Sequence, residues 1–176
     1  MGQDINWDLR NYHFYNPYAF LHHRLGFDIA PAMMQSYFNP FLDILNYCLI
    51  TTQKPIVVGF ILGAISGITA FFTYKITFLM TEKHGLALFS VLIGMTGYAG
   101  IVQLGSTTNE TKTACLLLIG IYCILKSLCH AEKPFYWLFL GGFLSGLAIG
   151  FKLTAATMGI GIIVGFVFIQ RPSKQH

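Results

Sequence analysis

The sequence predicts an all-α fold: a transmembrane bundle of about five spans with an aromatic, interfacial N-terminal segment. Three observations predict it. The chain has 176 residues, of which 55% are apolar and only 10% charged, whereas soluble domains carry about 25% charged residues. Apolar runs long enough to cross a bilayer follow one another from Ile56 onward. The connections between them are short, which makes consecutive helices antiparallel neighbours. The formal charge of +4 is scattered, so nothing marks a nucleic-acid partner.

The division expected is residues 1–52 as outer-face interfacial loop and helices, and residues 53–176 as the membrane bundle. Residues 1–20 hold no apolar run and no basic n-region, hence no signal peptide. Asn6 stands where a myristoylation signal needs Ser or Thr. From Asp8 to about Arg24 a helix is expected, kinked by Pro17, with Asp8, Tyr12 and Tyr15 on one face at i, i+4 and i+7. Pro31 and Pro40 break the rest, and Asn39-Pro40 is a turn signal. Phe41–Thr52 is apolar but short, and reads as an interfacial or re-entrant helix. The spans are Ile56–Met80, opened by Pro55 in the first turn, then Leu86–Leu104, Thr113–Cys129, Phe135–Phe151 and Thr154–Ile169.

Lysine and arginine orient the bundle. Lys75, Lys83, Lys126, Lys133, Arg171 and Lys174 flank one set of ends, expected to be cytoplasmic. Arg10, Arg24, Lys54, Lys112 and Lys152 mark the other. Six against five is a weak bias, so alternation of the spans carries the inference. Gly59, Gly63 and Gly67, and likewise Gly142, Gly146 and Gly150, recur four apart, a spacing that permits close helix approach. Cys48, Cys115, Cys123 and Cys129 lack the spacing of a disulfide or metal framework and read as small packing residues.

Chemistry has few carriers. Of seven acidic residues, Asp4, Asp8, Asp28, Asp43 and Glu110 fall on the outer side with Lys112 and Lys152. An ionisable cluster at one membrane face is a site candidate; the bland alternative is that loops hold polar residues. Lys152 interrupts an apolar stretch from Phe135 to Ile169, and a charge at a helix centre costs roughly 3 kcal/mol. It therefore marks a turn between two spans. In the loop Gly105–Lys112, Glu110 opens a helix, where the dipole stabilises a carboxylate. No P-loop, nucleotide fingerprint, zinc-protease motif or nucleophile elbow is present.

The run Trp7-Asp8-Leu-Arg-Asn-Tyr12-His-Phe-Tyr15-Asn-Pro, followed by Phe38-Asn39-Pro40, resembles the first outer loop of the GT-C superfamily of membrane glycosyltransferases. Gly105-Ser-Thr-Thr-Asn109-Glu110 resembles the second outer loop. Gly146-Leu-Ala-Ile-Gly-Phe-Lys152-Leu-Thr154 resembles the glycine-rich end of a later span. The order is that of the polyprenol-phosphate-mannose-dependent branch.

The resemblance implies that Asp8 is the general base of an inverting transfer from a polyprenyl-phosphate sugar to an acceptor hydroxyl. Lys152 would face the phosphate leaving group, with Tyr12, Tyr15, Asn109, Glu110 and Thr154 in the substrate site. Asp4 lies outside the match and is expected to be dispensable. No cofactor is required; a divalent cation stays open. The partners implied are a lipid-linked sugar donor and membrane lipids, and the place is the outer face of a bacterial inner membrane. Family members carry a span before the Asp8 loop and several after the position of His176. The chain thus reads as a slice of a larger enzyme, its missing spans supplied by a second chain or a neighbouring reading frame. The alternative is a non-catalytic membrane protein, a transporter-like bundle or an assembly subunit. A transporter would more often show an internal repeat or a midplane charge, and neither is evident.

Overall fold

The computed structural model describes residues 4–29, 32–129 and 132–168. Among them every regular element is helical. Three helices are long and apolar enough to cross a membrane: α3 (Pro55–Thr81), α6 (Glu110–Cys129) and α7 (Pro134–Phe151). That is compatible with an integral membrane protein. The described residues also contain α1 (Tyr15–Leu21), α2 (Phe41–Thr52), α4 (His84–Thr96), α5 (Tyr98–Val102) and α8 (Ala156–Phe168). Ile169, Arg171, Lys174 and Pro31 lie outside the described residues.

Two of the expected spans take a different form. The run Leu86–Leu104 is broken at Gly97, whose backbone is extended at φ −60° and ψ 148°. The chain folds back so tightly that a Cβ on Gly100 would sit 2.8 Å from the Gly94 carbonyl oxygen. Only glycine fits there. The last run begins with a 3₁₀ turn, Leu153–Ala155, and the described part of α8 has 13 residues. At 1.5 Å per residue it spans about 20 Å.

α6 is the centre of the bundle. It packs along α7 on one side and against α3 on the other, and α3 packs against α4. The α6–α7 crossing is close because Gly120 meets Gly141: a Cβ on Gly141 would lie 2.7 Å from the Gly120 carbonyl oxygen. The two glycine stripes read from the sequence are not at this crossing. Gly59, Gly63, Gly67, Gly142, Gly146 and Gly150 have no neighbouring side chain or backbone within 4 Å of an added Cβ. The contact face of α7 lies one residue away from the stripe, through Gly141, Ser145 and Ala148, all buried.

Beside an apolar core that includes Leu62, Leu117 and Ile124, the fold buries several polar residues and exposes many large apolar ones. α2 buries Asp43 and Asn46 and turns Phe41 and Leu45 outward. A helix of a water-soluble domain buries its apolar stripe instead. Phe60, Phe71, Phe139 and Ile163 are likewise exposed, while Ser66, Thr113 and Ser145 are buried. Such a distribution is compatible with hydrocarbon around the bundle; Asp43 and Asn46 are hydrogen-bonded inside, whereas the Thr113 and Ser145 hydroxyls have no partner among the described residues.

The N-terminal segment is not one kinked helix. Leu9–His13 forms a π-helical turn, with the Phe14 N–H donating to the Leu9 carbonyl at 3.1 Å. The extra residue in this turn shifts the helical phase before α1 begins. Asp8 and Tyr12 stay together, but Tyr15 swings to a different side.

Candidate functional site

The site is built on the loop from Gly105 to Asn109. Gly105 takes φ +71°, which favours glycine, and a Cβ there would lie a tight 3.1 Å from the Gly59 carbonyl oxygen. The Asp4 carboxylate accepts hydrogen bonds from the Thr107 N–H (2.9 Å), the Thr107 hydroxyl (2.8 Å) and the Ser106 hydroxyl (3.2 Å). It also accepts from the Asn6 N–H (3.2 Å) and side-chain amide (3.0 Å). Burial pushes the Asp4 carboxyl up, but the Thr107 and Asn6 donors outweigh it and hold the group below the usual carboxylate range. Asp4, which lies outside the resemblance, thus ties the N-terminal segment to the loop.

The inner face of the loop is held by Lys112. Its ammonium donates to the Asn46 side-chain oxygen (3.1 Å) and to the carbonyls of Thr107 (3.3 Å) and Thr108 (2.8 Å). The Asn46 amide donates to the same Thr107 carbonyl at 2.6 Å. Lys112 is 6% exposed and Asn46 0%, so all three ammonium protons are used up internally.

Next to this stands a buried trio. One oxygen of Asp43 accepts from the Asn109 amide at 2.7 Å and lies 2.8 Å from His13 Nδ1. Asn109 and His13 also approach to 3.4 Å. His13 Nδ1 cannot donate to Asp43 and accept from Asn109 at once. The shorter contact, to a carboxylate, decides that Nδ1 carries the proton. The Asn109 carbonyl oxygen has no protein partner among the described residues, nor has the Thr113 hydroxyl one turn further along α6.

Tyr12 caps the trio from outside, its ring 4.3 Å from that of His13. Burial pushes the Tyr12 hydroxyl up, followed by the neighbouring Asp8 carboxylate and the charges of Glu110 and Asp43. Glu110 in turn pairs with Lys152. Lys152 follows the last turn of α7 in extended conformation. The neighbouring Gly150 carbonyl accepts a hydrogen bond from the Asn39 amide at 3.0 Å, and the Asn39 oxygen caps α2 at the Phe41 N–H, also 3.0 Å. A cavity of about 450 Å³ opens here, lined by Asn39, Phe41, Phe143, Gly146, Leu147, Gly150 and Phe151. Its walls are almost wholly apolar.

Asp8, Tyr12, Asn109, Glu110 and Lys152 therefore gather at one end of the bundle. Tyr15 and Thr154 do not join them. Tyr15 faces Asp28; burial and that carboxylate push its hydroxyl up, and Asp28 pairs with Arg24. Thr154 is exposed, its carbonyl accepting from the Thr157 hydroxyl at 3.0 Å. Asp43 and Lys112 belong to the ionisable cluster expected at this face, whereas reading the sequence misses His13 and Asn46 as members. A signal was present: Asp43 and Asn46 lie three apart on an apolar helix, and polar groups on such a helix turn inward. Among the described residues no group of three or more His, Cys, Asp or Glu is arranged to hold a metal ion.

Comparison with known proteins finds no matching family model, no matching curated protein and no matching solved structure.

Proposed function

We propose that the chain is a membrane glycosyltransferase of GT-C type, or part of one, transferring a sugar from a polyprenyl-phosphate donor to an acceptor hydroxyl with inversion. One observation carries this reading: the stretches around Asp8, Asn109–Glu110 and Lys152, far apart in sequence, meet at one end of the bundle through Tyr12 and the Glu110–Lys152 pair. The five-span topology, the interfacial N-terminal segment and a site on the outer face of a bacterial inner membrane belong to the same proposal.

Asp8, half-buried beside Tyr12, accepts the proton of the acceptor hydroxyl as its oxygen bonds to the anomeric carbon. The anomeric C–O bond to the donor phosphate breaks, and the phosphate leaves with the electron pair. Lys152, released from Glu110, neutralises that charge as a compact ammonium. The apolar cavity ending at Gly150 and Phe151 receives the first isoprene units. Tyr12 fixes the geometry around the base, and Asn109 orients the substrate.

Transfer measured on the full polypeptide with a polyprenyl-phosphate sugar tests the reading. Asp8→Asn should lower turnover by about a hundredfold to ten-thousandfold and leave donor binding intact. Near-normal turnover would remove Asp8 from the role of base. A second reading, a non-catalytic membrane bundle, is favoured by the way Lys112, Asp43 and Lys152 are already satisfied within the chain. Absence of transfer by the unaltered protein, with donor bound, would select it.

A further inference from the structure

The opposite end of the bundle carries a second feature, unconnected with the polar cluster. Where α3 runs out beside α6, a cleft of about 500 Å³ is lined by Lys75, Phe78, Leu79, Glu82 and Tyr122. Lys75 Nζ and Lys126 Nζ each lie 5.9 Å from the centre of the Tyr122 ring. Lys126 Nζ also lies 3.8 Å from the Trp137 ring centre, on the first turn of α7. The negative end of α6 and the aromatic faces favour Lys126, whereas Lys75 lies outside the last turn of α3. The two ammonium groups share one ring, Lys75 within the cleft lining and Lys126 beside it, and neither has a carboxylate partner among the described residues.

We propose that this cleft binds the headgroup of an anionic phospholipid. The phosphate lies by the Tyr122 ring, held by Lys75 of the cleft lining with Lys126 supplying a second positive charge nearby. Tyr122 and Trp137 are the aromatic residues that settle at the headgroup level, and basic pockets between membrane helices take anionic headgroups. Phe78 and Leu79 form the wall against which the first acyl carbons lie. Glu82, at the rim, repels further anionic charge but accepts a hydrogen bond from a headgroup hydroxyl. The lipid class that satisfies all of these groups has one phosphate and a hydroxyl-bearing headgroup, as phosphatidylglycerol does. The inference rests on the chain lying in a bilayer and not on its catalysing transfer.

Native mass spectrometry of the protein released from vesicles of equal parts phosphatidylglycerol and phosphatidylcholine tests it. The expected result is preferential retention of phosphatidylglycerol. Lys75→Gln and Lys126→Gln should each weaken that retention about fivefold, and the double variant should abolish the preference. Lys75→Arg, which keeps the charge, should retain the lipid, separating loss of charge from loss of fold. Lys133→Gln, exposed at the same end outside the cleft, should change nothing. The proposal is overturned by equal retention of the two lipids, or by a loss with Lys133→Gln as large as with the cleft lysines. It is also overturned if inorganic phosphate strips the lipid, which would make this a site for free phosphate. Retention of neither lipid would overturn the bilayer placement itself.

Discussion

Asp43 on α2 and Asn109 at the start of α6 are joined by a 2.7 Å hydrogen bond between side chains that are 2% and 6% exposed. They stand 66 positions apart. The bond fixes a short helix of the N-terminal segment to the most enclosed span, and it places His13 against the same carboxylate.

Asn109→Ala should therefore destabilise the protein by about 1.5–3 kcal/mol, the range for a hydrogen bond to a charged group. Asp43→Leu should cost more, since it leaves His13 Nδ1 and the Asn109 amide without an acceptor. Asp43→Asn should fall between the two. Unfolding in mixed micelles, followed by near-ultraviolet circular dichroism, ranks the three. If Asp43→Leu proves as stable as the unaltered chain, the trio is not holding α2 to α6.

Asp4 gives stability a dependence on acid. Its folded value lies below the unfolded one, so its contribution is fully present above the unfolded value, near 4. It is lost as pH falls through the lower folded value. Melting temperature should drop over that window, and Asp4→Asn should lower stability at neutral pH while flattening the drop. An unchanged acid limb in Asp4→Asn would assign the effect to other carboxylates.

The glycines of α7 should separate sharply. Gly141→Ala forces a Cβ to within 2.7 Å of the Gly120 carbonyl oxygen and should cost roughly 1–3 kcal/mol through overpacking. Gly142→Ala meets nothing and should be neutral, or stabilising by up to about 1 kcal/mol through helix propensity. Thermal unfolding of both variants decides. Equal costs would mean that the crossing lies elsewhere on α7.

Much of the architecture was legible because lipid demands long apolar runs, and Pro55 and Pro134 open their helices as N-terminal prolines do. The break at Gly97 was not, because glycine is common within membrane helices and only the close return at Gly100 shows that the chain turns. The glycine stripes misled for a related reason. Spacing shows which residues share a face, but not which face meets a neighbour, and the crossing uses Gly141 rather than Gly142. In the site, charges at span ends pointed to Glu110 and Lys152, and the resemblance pointed to Asp8. The separation of Tyr15 from Tyr12 depends on a π-turn, which no local propensity specifies. The importance of Asp4 arises from partners about a hundred positions away.

A chain that hides Asp43, Asn46 and Lys112 and displays Phe41, Leu45 and Phe60 reverses the usual terms of molecular evolution. Exterior positions should accept exchange of one hydrocarbon side chain for another, so substitutions are expected to concentrate in the very residues that dominate the composition. Selection falls on a handful of hydrophilic residues whose partners are distant in the gene. Descendants of such a chain would diverge quickly in overall sequence while keeping those few intact.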